Sequence, residues 1–213
     1  MAYRVKEIFY TLQGEGARAG RAAVFCRFAG CNLWTGRESD RPHASCPFCD
    51  TDFVGTDGPG GGVFATAVDL ADAVCAAFPH VAWGRERPYV VFTGGEPALQ
   101  LDAPLLDLLH GRGYELAVET NGTVALVPGL DWVTVSPKAG TELVLTRGNE
   151  LKVVWPQHGL NLASLESLDF DLLYLQPRDG ADREGATALC VEWCRTHPRW
   201  RLGLQTHKLV GIP

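Results

Sequence analysis

The sequence lacks the long apolar segments that direct a chain into or across a membrane. No run approaches the roughly 18 apolar residues of a membrane helix, and the opening MAYRVKEIFYTLQ contains no apolar h-region. Basic residues are not in excess either. With 19 Lys and Arg against 25 Asp and Glu, the net charge is −6, and nothing indicates a surface that follows nucleic-acid phosphates. We therefore expect a cytoplasmic protein without a membrane or direct nucleic-acid partner.

The sequence also lacks the features of a disulfide-bonded protein. There are seven, an odd number, and no secretion signal favours disulfides, so reduced thiols or metal ligands are the better interpretation. The length of 213 residues and the hydrophobic content of 46% fit one globular domain. We expect a single domain over residues 1–213.

Strand-like segments recur along the chain and alternate with helix patterns. The predicted strands span 3–11, 22–29, 89–93, 114–120, 131–136, 150–155, 170–176 and about 201–205. The predicted helices span 66–78, a segment ending at 109, and about 182–197. In the first strand, Val5 and Phe9 are expected on one face.

This alternation is typical of a parallel sheet buried on both faces. A complete eight-stranded barrel needs roughly 250 residues, and the crossover 121–131 is too brief for a full helix. The sequence therefore predicts an α/β fold that is an incomplete, open (β/α) barrel with few helices.

Polar motifs follow several of these strands, where ligands collect in such folds. They are Thr93-Gly-Gly-Glu, Glu119-Thr-Asn, Ser136-Pro-Lys and Gln176-Pro-Arg. Arg27 projects from the second strand and is interpreted either as an edge salt bridge or as a guanidinium that binds a carboxylate. The coincidence of the motifs predicts an active site at the carboxyl ends of the strands.

Residues 30–62 show no periodicity, which is usual for functional or disordered segments. We interpret the first part as functional and Gly58–Gly62 as a mobile linker. Fourteen residues separate Cys31 from Cys46, and two separate Cys46 from Cys49. Three thiolates can hold three irons of a cubane iron–sulfur cluster and leave the fourth open to a small molecule. An open metal position is typical of catalytic sites.

Other interpretations of the cysteines remain. Cys46 and Cys49 alone match a redox pair, but no helix follows them. Together with Cys26, the three loop cysteines would supply four sulfurs to a structural zinc, although Cys26 belongs to the apolar face of a strand. Cys190 and Cys194 lie four apart on one predicted helix, where buried thiols are favoured over a metal site.

The three cysteines, joined by Gly94-Gly-Glu-Pro97 after a strand, resemble the radical S-adenosylmethionine (SAM) enzymes. Most of these place three residues between the first two cysteines, where this sequence has fourteen. Further motifs narrow the resemblance: Leu12-Gln-Gly-Glu-Gly16, Arg27-Phe-Ala-Gly-Cys-Asn-Leu33, Cys49-Asp-Thr51, Glu119-Thr-Asn-Gly-Thr123, Ser136-Pro-Lys138 and Leu204-Gln-Thr-His-Lys208. As a set, they resemble the 7-carboxy-7-deazaguanine synthase family of queuosine and deazapurine biosynthesis, in a long-insert form.

The resemblance implies a lyase that uses a 4Fe-4S cluster, SAM and Mg²⁺. In that chemistry a 5′-deoxyadenosyl radical takes a hydrogen from 6-carboxy-5,6,7,8-tetrahydropterin, the ring contracts, ammonia leaves, and SAM is regenerated. It also implies an electron donor such as flavodoxin or ferredoxin, and a homodimer. Two alternatives stay open: another radical SAM enzyme such as a glycyl-radical activase, or a non-catalytic zinc-stabilised module.

The resemblance also assigns roles to individual residues. The implied metal ligands are Cys31, Cys46 and Cys49 for the cluster and Thr51 for Mg²⁺. The implied cofactor-binding residues are Phe48, Asp50, Gly94, Gly95, Glu96, Ser136, Lys138 and Gln176. The implied substrate-binding residues are Leu12, Gln13, Gly14, Glu15, Arg27, Thr93, His207 and Pro213. Within these sets, Gly94 and Gly95 are expected to let a ligand approach the backbone, Glu96 to receive the cofactor's ammonium, and Arg27 to pair with the pterin carboxylate.

Overall fold

The computed structural model describes residues 2–213, and within that range the chain forms one sheet of nine strands. The strands are β1 (Tyr3–Leu12), β2 (Ala22–Phe28), β3 (Gly62–Phe64), β4 (Tyr89–Gly94), β5 (Glu115–Thr120), β6 (Trp132–Val135), β7 (Arg147–Trp155), β8 (Asp169–Pro177) and β9 (Trp200–Leu202). The α-helices are α1 (Ala67–Ala76), α2 (Ala103–Gly111), α3 (Leu162–Glu166), α4 (Arg183–Thr196) and α5 (Thr206–Val210).

The strand order is β3-β1-β2-β4-β5-β6-β7-β8-β9. Pairing is parallel from β2 through β9, whereas β1 pairs antiparallel with β2 and β3. Because β3 and β9 lie at opposite edges, the sheet is open. The predicted α/β fold with an incomplete, open barrel is confirmed.

Alternate residues of the strands pack under the helices, on the side that we call the helix face. There, Cys26 of β2, Val90 of β4 and Leu116 of β5 share a core with Leu106 of α2. A second core forms in the same way beneath α3 and α4. The intervening residues lie on the opposite side, the cavity face, where Phe25 belongs to a smaller apolar cluster. The period of two in each strand thus separates a packing side from a side available to ligands.

Helix α1 begins where its sequence indicates. The Thr66 hydroxyl accepts from the Asp69 amide, and the Asp69 side chain accepts from the Thr66 amide, which is a complete capping box. Leu70 and Val74 are fully buried, so the predicted apolar stripe faces the sheet.

Strand β1 differs from its predicted alternation. Its register with β2 shifts between Val5 and Glu7, so one extra residue is accommodated there. Val5 packs on the helix face, whereas Phe9 packs against Phe25 on the cavity face. The expectation that Val5 and Phe9 share one face is therefore wrong, because the shift moves every later side chain to the other side.

The glycine run packs along β1 and does not form a free linker. The Gly58 amide donates to the Lys6 carbonyl at 2.9 Å, and the Ile8 amide donates to the Pro59 carbonyl at 2.7 Å. Gly62 then opens β3, which pairs with the start of β1. The absence of side chains lets this segment lie directly against the neighbouring backbone.

The last part of the chain also differs from expectation. Strand β9 ends at Leu202, three residues before the predicted end, and α5 follows it. Over residues 2–213, no helix combines the length and the apolar character needed to cross a membrane.

Candidate active site

A cavity of about 380 Å³ opens on the cavity face. Its walls come from the end of β1, the carboxyl ends of β4 to β8, the cysteine segment after β2, and the C-terminal segment around α5. Its volume is within the range of small-molecule sites. Every predicted site residue except Glu96 lines this cavity.

Cys31, Cys46 and Cys49 all line this cavity, although within residues 2–213 no three His, Cys, Asp or Glu side chains are arranged to share a single metal ion. The neighbouring Cys46 lowers the pKa of the Cys49 thiol below its ordinary value. Cys26, the fourth sulfur of the zinc alternative, is fully buried in the core on the helix face. The side chain of Cys26 therefore lies on the far side of β2 from the three loop thiols.

The fourteen-residue insert between Cys31 and Cys46 is folded around one aromatic ring. The Arg41 guanidinium stacks on Trp34 at 4.0 Å and forms a double hydrogen bond with Glu38. The same guanidinium donates to the carbonyls of Pro47 at 3.0 Å and Cys49 at 2.9 Å. One insert side chain thus fixes the backbone that carries the second and third cysteines.

The Gly94-Gly95 pair allows the end of β4 to approach the start of the cysteine segment. A Cβ on Gly95 would overlap the carbonyl oxygen of Gly30, and one on Gly94 would overlap the backbone of Phe28. Gly94 also has φ +134°, which disfavours other residues. The glycines line the cavity as predicted, but the close approach that requires them is to the chain itself.

Glu96 is the one predicted site residue that lies behind the cavity wall. Its side chain is fully buried and does not line the cavity. The carboxylate accepts from the Thr120 hydroxyl at 2.7 Å, the Asn121 amide at 2.8 Å and the Ala98 amide at 3.0 Å. Glu96 therefore ties the loop after β4 to the end of β5, with three protein donors on its two oxygens.

The ends of β6 and β8 supply a cation and an unused acceptor. The Lys138 ammonium donates to the carbonyl and the hydroxyl of Ser136 at 2.6 and 2.7 Å, and burial lowers its pKa. The Gln176 side-chain oxygen is buried and accepts no hydrogen bond from the described residues. An acceptor in that state is costly unless a ligand supplies a donor.

A charged network forms the floor of the cavity. The Lys152 ammonium lies 2.5 Å from Glu15 and 3.3 Å from Glu119. The Gln13 amide donates to Glu119 at 3.0 Å, and Thr93 hydrogen-bonds to the same carboxylate at 3.4 Å. Burial acts to raise the pKa of Glu15, but Lys152, Gln205 and His207 together lower that pKa below its ordinary value.

Arg27 also lines the cavity. Its Nε donates to Glu7 at 2.7 Å, so the edge salt bridge that the sequence suggests is present. A guanidinium carries five N–H donors, and this pairing uses one of them. Because Arg27 also lines the cavity, the salt bridge and the binding of a carboxylate are compatible.

The C-terminal segment closes one side of the cavity. The amide and the hydroxyl of Thr206 both donate to the Gly14 carbonyl at 2.8 Å, and a Cβ on Gly14 would overlap the ring of His207. The Thr11 hydroxyl donates to the Pro213 carbonyl at 3.0 Å. His207 and Pro213 thus lie beside the residues at the end of β1, and all of these residues were assigned to the substrate.

Known proteins give a consistent identification. No family model matches the chain. The 7-carboxy-7-deazaguanine synthases of Nitratidesulfovibrio vulgaris and Bordetella pertussis are 68% and 60% identical to it, each over the full length of both chains. The chain belongs to the 7-carboxy-7-deazaguanine synthase family. The crystal structure of QueE from Escherichia coli superimposes with a TM-score of 0.69 and 32% identity, covering 97% of this chain and 95% of that one.

The 7-carboxy-7-deazaguanine synthase family consists of radical SAM lyases of queuosine biosynthesis, which use a 4Fe-4S cluster and SAM. The cavity suits both groups. Three loop thiols line it, whereas the next nearest cysteine in the sequence, Cys26, lies on the opposite face of the sheet. The buried unpaired oxygen of Gln176 suits a ligand that donates a hydrogen bond.

Several residues of this synthase cavity were given no individual role from the sequence, although Glu119 and Lys208 belong to the motifs Glu119-Thr-Asn-Gly-Thr123 and Leu204-Gln-Thr-His-Lys208. Lys152 and Glu119 carry the charges of its floor, and Lys208 pairs with Asp50 at 2.5 Å and Asp179 at 2.7 Å beside the C-terminal segment. A signal for Lys152 was present, because it is a charge between Leu151 and Val153 in a buried strand. Lys208 is the last residue of the Leu204-Gln-Thr-His-Lys208 motif, but the motif assigned it no contact, and a lysine near a terminus is ordinarily solvated.

Proposed function

We propose that the chain converts 6-carboxy-5,6,7,8-tetrahydropterin to 7-carboxy-7-deazaguanine with loss of ammonia, in the cytoplasm. The observation that carries the proposal is that one cavity joins three loop thiols to a floor of carboxylate, amide and guanidinium groups. The thiols suit a cluster with one open iron, and the floor suits a flat heterocycle with several N–H donors and a carboxylate.

The cofactor end is assigned to the residues around the thiols. When bound, the reduced cluster and SAM supply hydrogen-atom abstraction by a carbon radical. Lys138 offers a cation to a carboxylate, and Ser136 offers a hydroxyl to a ribose. Gln176 accepts from a donor of the cofactor, and Phe48 offers an apolar surface to its base. Glu96 serves this end indirectly, by holding the loop that carries Gly94 and Gly95.

The substrate end is assigned to the floor and its surroundings. Glu15 accepts from the N–H donors of the pterin, and Gln13 and the Gly14 backbone lie beside it. Arg27 pairs with the pterin carboxylate, since its guanidinium lines the cavity while one N–H remains on Glu7. The other assigned residues lie around this group, namely Leu12, Thr93, His207 and Pro213.

A magnesium ion, an electron donor and a second copy of the chain complete the proposal. Thr51 follows Cys49 and lines the cavity, where its hydroxyl would be one hard oxygen ligand among waters and substrate oxygens. Asp50 is held beside it by Lys208. We assign the reductant to the flavodoxin or ferredoxin class and the assembly to a homodimer, as the family resemblance implies.

The decisive experiment gives the anaerobically reconstituted, reduced enzyme the carboxytetrahydropterin, Mg²⁺ and substoichiometric SAM. We expect many deazapurine products per SAM, and brown protein with about four iron and four sulfide per chain. Omission of Mg²⁺ serves as the matched control for the metal. Colourless protein with stoichiometric zinc, or cleavage of SAM without ring contraction, would contradict the proposal.

A further inference from the structure

Lys152 is a buried cation within the cavity floor. It lies in β7 between Leu151 and Val153, which pack on the helix face, and its own side chain extends to the cavity face with 6% of its surface exposed. A buried ammonium is costly unless it is paired. Its partners are Glu15 at 2.5 Å and Glu119 at 3.3 Å. Two carboxylates from different elements therefore meet at one cation.

Other charged groups around this centre do not replace Lys152. Glu150 is buried on the same strand, accepts from the Ala17 amide at 2.8 Å, and has a pKa raised by burial. Lys138, whose pKa is lowered by burial, faces the thiols and bonds to Ser136. His207 faces Glu15 from α5. Lys152 is the cation in direct contact with both floor carboxylates.

We propose that Lys152 is a positioning residue that keeps Glu15 and Glu119 together as ionised acceptors for the N–H edge of the pterin. This inference rests on the proposed function. Both carboxylates lie within hydrogen-bond reach of one nitrogen, so without that cation they are like charges at short range in a buried site. One would then take up a proton and present an O–H where the ligand also presents an N–H. That donor–donor conflict weakens binding.

The test measures binding of 6-carboxypterin, an oxidised and non-reacting analogue, to the cluster-loaded enzyme with SAM and without reductant. Lys152→Met should weaken binding roughly tenfold to a hundredfold near neutral pH, and the loss of affinity relative to wild type should become smaller as the pH is raised. Lys152→Arg should stay close to wild type. The quantity compared at each pH is the ratio of the dissociation constant of the variant to that of wild type.

A double variant distinguishes a charge effect from a loss of packing. Lys152→Met combined with Glu119→Gln removes one charge of each sign, so the pH dependence of this ratio should disappear. Iron content and circular dichroism report whether the site remains intact, and Lys152→Gln replaces Lys152→Met if the latter does not fold. If the loss of affinity in Lys152→Met does not depend on pH, or if the affinity is unchanged, the inference is overturned while the proposed function stands. No saturable binding to wild type contradicts the proposed function itself.

Discussion

Removal of the Glu96 carboxylate is expected to destabilise the fold as well as the site. The side chain is fully buried and accepts three hydrogen bonds, from Thr120, Asn121 and Ala98. Each buried donor left without a partner costs about 1–3 kcal/mol, and water can enter part of the space left by the side chain. We therefore expect Glu96→Ala to lower the free energy of unfolding by about 3–5 kcal/mol.

Glu96→Gln is a milder perturbation of the same contacts. The amide keeps the volume and one acceptor oxygen, but its NH₂ group meets the amide of Asn121, so one donor–donor conflict costs about 1–3 kcal/mol. Urea unfolding of the reduced apo-protein, followed by circular dichroism, measures both variants. If Glu96→Ala unfolds within about 1 kcal/mol of wild type and loses only affinity for SAM, the carboxylate is free to bind a ligand, and the tie between β4 and β5 is wrongly assigned.

The pH dependence of this comparison has a definite sign. Burial raises the pKa of Glu96, against opposing hydrogen bonds from Thr120 and Asn121. A carboxyl whose pKa is higher in the folded state stabilises the fold at low pH, and that contribution is lost as pH rises through the folded-state pKa. The side chain at this position cannot titrate in the Glu96→Gln variant. The free energy of unfolding of wild type should therefore exceed that of the variant by more at about pH 5 than at about pH 8. A difference in free energy of unfolding that increases with pH would contradict the reasoning.

Three further substitutions test the cluster ligands, the substrate-binding residues and the cap of helix α1. Cys49→Ala should abolish iron binding, whereas Cys75→Ala, a half-buried helix thiol outside the cavity, should retain it; a stable, fully loaded cluster in Cys49→Ala refutes the ligand assignment. Arg27→Ala should weaken pterin binding roughly tenfold to a hundredfold while uncoupled SAM cleavage persists, and loss of iron would show that Arg27 is misplaced. Thr66→Ala should lower stability by about 1 kcal/mol by removing the α1 cap, with Thr66→Ser as the conservative control in thermal unfolding.

The sequence predicted the fold well where local periodicity and tertiary packing agree. The alternation of Val24, Cys26 and Phe28 correctly placed Cys26 on the helix face and left three cysteines for the cavity. The predicted face of Phe9 was wrong, because one register shift in β1 moves every later side chain to the other face. Nothing in the sequence of β1 indicates that shift. The prediction also failed at the glycine run, where hydrogen bonds to Lys6 and Ile8 depend on a strand distant in sequence.

The position of site residues was more predictable than their individual contacts. Motifs after strands located the cavity, because the carboxyl ends of parallel strands share one edge. The state of Glu96 was not predictable, since its oxygens are satisfied by Thr120 and Asn121 from the next strand. A carboxylate near a glycine pair has the same sequence pattern whether it faces a ligand or the protein.

Strand β7 explains why the charges of the floor are compatible with a stable fold. Leu151 and Val153 are fully buried under the helices, and Glu150 and Lys152 alternate with them on the cavity face. A slip of one residue against β8, which now pairs Leu151 with Leu173, would bury both charges in the apolar core and expose both aliphatic chains to the cavity. The cost of an unpaired buried charge there makes the observed register strongly preferred. The alternation that specifies the sheet therefore also brings the Lys152 ammonium into the cavity. There it lies against Glu15 and Glu119 and stabilises their negative charge.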